Sequence, residues 1–293
     1  MRKKIVITGG TGLLGSHLID DLLQQDEYDL YIISREAANI HRDPKIIIVQ
    51  MDLSRDPDIK KLPETIFAVI HLAQSEKFRD FPGSAEEVFH VNTLSTMRLI
   101  DYAIKANASH FIYASTGGIY GADGIYNEKE PINFRPNMGF YAGTKLCSEI
   151  ILESYSKLLN LIVLRFFFIY GKGQNKNMLL PRLVAFVKQG NKINLEGTEG
   201  LKINPIHATD AAKAIIASLK LSGSFTINVA GGEVLSLKDI GEIIGDELGI
   251  KPEFNIEDIK QSKSLIADTT EMLRLLITPS IKMKEGIKTL INH

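Results

Sequence analysis

The chain has no tryptophan and a single cysteine, Cys147. One thiol excludes an internal disulfide and suits a reducing compartment. An excess of either charge is also missing: 34 Lys and Arg stand against 35 Asp and Glu, a formal net charge of −1. That balance argues against a nucleic-acid partner or an anionic membrane surface, both of which select strongly basic faces. No apolar run reaches the roughly 18 residues that a membrane span requires. Met1-Arg2-Lys3-Lys4 has the basic character of a secretory leader, but Ile5-Val6-Ile7 gives way at once to Thr8-Gly9-Gly10, too soon for an apolar leader core. The expectation is a cytoplasmic protein with no nucleic-acid partner, no membrane partner and no metal site.

The 293 residues, 44% of them hydrophobic, are enough for one large domain or a domain with a subdomain. Short β-rich runs alternate with amphipathic stretches. Strands are expected at 4–8, 30–34, 45–50, 68–73, 110–115 and 161–167. The last is almost continuously apolar, as suits a strand covered on both faces. Helical spacing of apolar residues marks 12–24, 85–107 and 141–159. Repeated βα units predict an α/β fold with a Rossmann-like, doubly wound parallel sheet and right-handed crossovers. After Tyr170-Gly171 the pattern loosens into a polar loop, helices at 179–189, 210–219, 237–248 and 281–290, and short strands at 193–195, 204–207 and 225–229. The expected division is a dinucleotide-binding domain at 1–170, to which part of 205–230 returns, and a small α/β substrate-binding region at 171–293.

The first strand runs into Thr8-Gly9-Gly10-Thr11-Gly12-Leu13-Leu14-Gly15, with glycines spaced as GxxGxxG. A tight turn needs a positive φ, and a phosphate approaching backbone N–H groups leaves no room for a Cβ. The following helix aims its N-terminal amides and dipole at a pyrophosphate, and Gly15 lets helix and strand pack closely. At the end of the second strand an acidic residue would select NAD. Ser34-Arg35 stands there instead and suits a 2′-phosphate, so the cofactor is read as NAD(P) with a lean to NADP; Glu36 is the alternative ribose ligand. Asp52, after the third strand, is a candidate for the adenine amino group or simply a cap. Tyr141 and Lys145 are four apart at a helix start and share a face. A nearby ammonium favours the phenolate, making Tyr141 a plausible acid and base, while Thr116 ends the preceding strand and can hold a substrate hydroxyl.

Together TGGTGLLG at 8–15, Asp52-Leu53, His71-Leu72-Ala73, Asn92-Thr93, ASTGGIYG at 114–121, Tyr141 with Lys145 and LRFFFIYG at 164–171 resemble, in order and spacing, an extended short-chain dehydrogenase/reductase of the NAD(P)-dependent sugar-nucleotide epimerase/dehydratase family. The resemblance covers nearly the whole chain. It implies a Rossmann domain with a small C-terminal substrate domain and Tyr141 as the acid and base. It places Lys145 on Tyr141 and the nicotinamide ribose, and Thr116 on the substrate hydroxyl. Gly9, Thr11, Gly12, Leu13, Leu14, Gly15, Ser34, Arg35, Asp52, Leu53, Leu72, Ala73, Asn92, Tyr141, Lys145 and Phe168 are the implied cofactor contacts. A homodimer pairing the helices at 85–107 and 141–159 is implied as well.

Departures from the family bear on the reaction. Dehydratases of this family carry an acid–base pair of side chains after the strand-end threonine, and epimerase-reductases of the GDP-fucose synthase type carry a cysteine at the second of those positions. Gly117 and Gly118 stand there, so elimination lacks its acid and base. Phe168 replaces the usual asparagine near the substrate diphosphate, and Ile203 the usual arginine. Asn177, Arg182 and Lys202 are the remaining substrate candidates, with Gly117 and Gly118 shaping the space. The expected function is an NAD(P)-dependent epimerase of a sugar nucleotide, by removal and return of a hydride; the alternative is an NADPH-dependent reductase of a keto sugar or related carbonyl compound. A non-catalytic dinucleotide sensor would have no reason to keep Tyr141 and Lys145.

Overall fold

The structure is a computed structural model and describes residues 2–36, 43–55, 58–121, 123–132, 138–257 and 261–292. Seven strands form the main sheet: β1 (Lys3–Thr8), β2 (Tyr28–Ser34), β3 (Ile46–Gln50), β4 (Ala68–His71), β5 (His110–Thr116), β6 (Asn160–Phe166) and β7 (Phe225–Val229). Every neighbouring pair is parallel, and the order is β7-β6-β5-β4-β1-β2-β3. The direction of winding reverses between β1 and β4, so a crevice opens at their carboxyl ends, where doubly wound sheets bind ligands.

Alternation along the strands explains why both faces are covered. On β5, Ile112 and Ala114 point into one core with Ile5, Ile7 and Ile162, while Phe111 and Tyr113 point into another with Val6, Val69 and Leu161. The first core is closed by α1 (Leu13–Gln24) and by a helix at Ala208–Ser218. The second is closed chiefly by the helical segment after β4. It runs as α2 (Ala85–Phe89), a π turn at His90–Leu94 and α3 (Ser95–Lys105), with α4 (Gly139–Glu153) beside it. The spacing predicted one helix over 85–107. The π turn interrupts it because side-chain hydroxyls reach its carbonyls: Ser95 Oγ donates to Val91 O at 2.6 Å, and Thr96 Oγ1 and Ser148 Oγ both donate to Asn92 O, at 2.7 and 2.8 Å.

Past residue 170 a third core gathers Tyr170, Leu183, Leu195, Ile203, Ile240 and Ile287 under two helices, Leu179–Lys188 and Leu237–Leu248. A small sheet joins Leu235–Ser236, Lys202–Ile203, Ser264–Ala267 and Gly124–Tyr126 in that order. The last strand comes from the first half of the chain, as β7 comes from the second, so each half lends the other a strand. The strand expected at 204–207 is split. Pro205 has no N–H to give, so Lys202–Ile203 and Ile206–His207 join different sheets. Between them, buried Asn204 imitates a strand by exchanging two hydrogen bonds with the Ala267 backbone, at 2.9 and 3.0 Å. The helix expected at 281–290 is two short turns, Met283–Gly286 and Lys288–Ile291. Among the described residues no helix is long and apolar enough to cross a membrane.

Candidate active site

The glycine loop occupies the turn from β1 into α1. Gly9 takes φ +72°, and a Cβ there would stand 2.8 Å from Ala73 N. A Cβ on Gly15 would overlap the Gly9 carbonyl oxygen, and one on Gly10 would lie 2.7 Å from Ile32 Cγ2. The loop thus lies flat on the ends of β1, β2 and β4. Helix α1 begins at Gly12 with no side-chain cap and no acidic residue in its first turn. Its N-terminal amides and dipole are left to an outside anion, so the residues present fit a dinucleotide pyrophosphate. Thr11 is exposed at the mouth of this turn. Leu72 and Ala73 continue β4 beside Gly9, and Leu53 is buried in the second core.

A buried neutral relay holds this crevice. The Ala73 N–H donates to Thr8 Oγ1 at 3.1 Å, and Thr8 Oγ1 lies 2.6 Å from His71 Nδ1. His71 Nε2 lies 2.9 Å from Thr96 Oγ1, which donates onward to Asn92 O. Consistent donors place the His71 proton on Nε2, and burial drops its pKa to about 3, keeping the ring neutral. Asn92 is fully buried. Its Oδ1 accepts from Ser75 N at 3.0 Å and its Nδ2 donates to Thr144 Oγ1 at 3.0 Å, tying the loop after β4 to α4.

At the end of β2, Ser34 Oγ donates to Glu36 O at 2.8 Å and Arg35 pairs with Glu76 at 2.9 Å, the Arg35 and Glu76 side chains both well exposed. The Asp52 carboxylate accepts from Ser54 N and Oγ at 2.9 and 2.7 Å, the geometry of a local cap.

Thr116 ends β5 in extended conformation and accepts from Gly118 N at 3.1 Å, capping the short turn Gly117–Tyr120. The two glycines of that turn differ. A Cβ on Gly117 would run into the Phe167 ring, so packing demands glycine there. A Cβ on Gly118 would meet only Thr116, with Oγ1 3.3 Å away, so this position opens space beside the threonine hydroxyl. Tyr141, on the first turn of α4, is half-buried, and its ring lies 5.0 Å from that of Phe78. Its hydroxyl donates to Gln74 Oε1 at 2.7 Å. Burial raises the phenol above its ordinary value, and a hydrogen bond with Thr116 works the other way. Lys145 is 1% exposed, and burial lowers its ammonium to about 7 against the pull of Glu149. Its Nζ donates to Ala114 O at 2.9 Å and sits 4.9 Å from the Tyr113 ring. The i, i+4 pair therefore shares a face of α4, with each polar tip held by a different partner.

Behind this face lies a buried ion pair. Arg165 donates to both oxygens of Glu149, with Nη2 2.7 Å from Oε2, and its Nη1 donates to Tyr120 OH at 2.6 Å. Ser115 Oγ donates to Glu149 as well. The network clamps α4 to β5 and β6. An arginine inside an apolar strand, and a glutamate one helical turn past Lys145, were the signals in the sequence. Gln74, Phe78 and Arg79 carried no such signal.

Past β6, Phe168 has φ +45°, an uncommon backbone for an aromatic residue, and its ring packs between the third core and the cluster around Phe167. Arg79 Nη1 donates to Asn177 O at 3.0 Å, joining the loop after β4 to the C-terminal half of the chain. Arg182 is exposed on its helix. Lys202 pairs with Glu199 at 2.6 Å. The structure thus brings Thr116, Tyr141, Gln74 and Phe78 together, and keeps Lys202 occupied elsewhere.

The family model described as the NAD dependent epimerase/dehydratase family matches residues 5–230. A putative UDP-glucose 4-epimerase of Methanocaldococcus jannaschii is 25% identical, over 98% of this chain and 97% of that protein. A GDP-6-deoxy-D-talose 4-dehydrogenase of Aggregatibacter actinomycetemcomitans is 27% identical, over 93% and 91%. A solved structure described as MoeE5 in complex with UDP-glucuronic acid and NAD superposes with a TM-score of 0.83 at 25% identity, covering 99% of this chain and 98% of that one.

Proposed function

Because the chain belongs to the NAD dependent epimerase/dehydratase family, we propose that it is an epimerase of a nucleotide sugar, inverting one carbinol carbon by removal and return of a hydride. The observation that carries this reading is Tyr141 beside Thr116, with buried Lys145 one turn further along the same helix face, and Gly117-Gly118 offering no side chain for elimination. A dinucleotide bound in that crevice supplies the acceptor and donor of the hydride. Thr116 orients the sugar hydroxyl. Tyr141 takes the hydroxyl proton as the carbon is oxidised and returns it when the carbon is reduced. The Lys145 charge, held in a low-dielectric site, favours the ionised phenol. The space at Gly118 lets the keto sugar turn to present its other face. Phe168, Asn177 and Arg182 are proposed to line the substrate, with Lys202 at its periphery.

Similarity to a UDP-glucose 4-epimerase, and to a structure holding a UDP-sugar with NAD, supports the substrate class. We take the cofactor to be NAD(P). The lean to NADP rests on Ser34 and Arg35 alone; Arg35 is paired with Glu76, and the similar solved structure carries NAD, so NAD is the form this reading favours. A homodimer is supported by Phe89, Met97 and Ile150, which stand exposed on the helices at 85–105 and 139–153. One observation favours a second reading, a reductase or dehydrogenase of a keto sugar: the similarity to the deoxytalose dehydrogenase. The test is to identify co-purified dinucleotide by mass spectrometry and then assay UDP-sugars without added cofactor. Epimerised product supports the reading; a requirement for stoichiometric reduced cofactor replaces it with the second.

A further inference from the structure

Gln74 is exposed, lies three residues past the buried end of β4, and is absent from every motif of the sequence, yet its side-chain oxygen is the acceptor of the Tyr141 hydroxyl at 2.7 Å. Its place is fixed from both sides. Ala73 is held by Thr8, and the next residue, buried Ser75, gives its N–H to Asn92 Oδ1 at 3.0 Å. Asn92 in turn grips α4 through Thr144, whose Oγ1 donates to Tyr141 O at 2.7 Å. One buried amide therefore sets the separation between the backbone of Gln74 and that of Tyr141.

We propose that Gln74 is a positioning residue for the reacting hydroxyl: its amide holds the phenol when protonated and, by turning over, donates to the phenolate when the proton has passed to substrate. Glutamine suits this because one end of its side chain accepts and the other donates, without adding a charge. Among the described residues, the groups near the Tyr141 hydroxyl are few. Lys145 lies on the same helix, Thr116 and the buried Tyr113 on β5, and Phe78 on the loop, with the Arg79 guanidinium 5.1 Å from the Phe78 ring on its other contacts. Gln74 and Thr116 are the uncharged side chains there that can both accept and donate, and Gln74 is the one that holds the phenol hydroxyl at 2.7 Å. A hydrogen bond to the charged phenolate is stronger than one to the phenol, so the net effect favours ionisation. The inference rests on the reading of Tyr141 as acid and base.

The test compares wild type, Gln74→Leu and Gln74→Glu, all loaded with NAD and checked for equal NAD content and thermal midpoint. Tyrosine labelled with 13C at Cζ is followed by NMR, with Tyr141→Phe identifying the resonance. In parallel, the acid limb of kcat/KM is recorded with UDP-glucose. The expected result is a displaced Tyr141 resonance at pH 8 in both variants and an acid limb moved upward by about one pH unit in Gln74→Leu. Gln74→Glu, which accepts but repels the phenolate, moves it further. An unmoved resonance, or a displaced resonance with an unmoved limb, overturns the proposal even if turnover falls. If wild type turns over no nucleotide sugar, the epimerase reading fails. Gln74 is then judged on the resonance titrated from pH 6 to 11, where superposed wild-type and Gln74→Leu curves overturn it.

Discussion

Around Gly9, Gly10 and Gly15, backbone meets backbone and strand end at distances no side chain could share. The polar atoms behind them pass hydrogen bonds from Ala73 to Asn92 without a charge. Around Gly118, Phe168 and Lys202, by contrast, one position is open, one carries a strained aromatic and one holds a surface ion pair. The glycine loop is constrained by its own covalent geometry, whereas the region around Gly118, Phe168 and Lys202 is shaped by side chains and by one open position. That difference teaches that the glycine turn announces itself in the sequence through its spacing, whereas the region around Gly118 and Phe168 takes its shape from packing.

Perturbing each side should sharpen the contrast. The largest effect is expected at the proton-transfer group: Tyr141→Phe should lower turnover by about 10²–10⁴-fold while cofactor binding, read by fluorescence or mass spectrometry, persists. Unchanged turnover would remove Tyr141 from the chemistry. Next comes the clamp behind α4. Glu149→Gln leaves the Arg165 guanidinium buried without its carboxylate, for a loss of about 3–5 kcal/mol in denaturant unfolding. Pairing it with Arg165→Met should recover much of that loss, and no recovery would show that the two act independently.

The buried histidines set the response to acid. His71 and His207 have folded-state values lowered by burial to about 3 and about 4, below the ordinary 6.5, so both stay neutral in the fold and gain a proton on unfolding. Stability should be fully present above about pH 6.5 and fall as pH drops toward 4, by up to about 1.4 kcal/mol per pH unit for each histidine. Unfolding free energies that stay flat from pH 4 to 6.5 would contradict the neutral relay. The smallest effect separates the glycine pair. Gly117→Ala should cost about 1–3 kcal/mol against Phe167, whereas Gly118→Ala should change stability by less than about 0.5 kcal/mol and act on substrate KM instead. Equal stability losses would erase the distinction.

Much of the frame was legible because it follows local rules. The nearly continuous burial of β5, the GxxGxxG turn and the i, i+4 placement of Tyr141 and Lys145 depend on residues close in sequence. What escaped depends on long-range closure. Gln74 meets Tyr141 across 67 residues through a loop without periodicity, and Gly124–Tyr126 finds its partner strand at Ser264–Ala267. The π turn was hidden because hydroxyls from Ser95, Thr96 and Ser148, not the apolar spacing, decide it. The glycine pair, read as two absent acid–base groups, has two causes in the structure: packing against Phe167 at one position and open space at the other.

The most direct measurement uses UDP-glucose carrying deuterium at C4, incubated with the purified protein and no added cofactor. The account predicts product inverted at that carbon with the deuterium retained, since the hydride that leaves is the one that returns. Product that has lost the label, or a keto sugar accumulating in step with reduced dinucleotide, would contradict it.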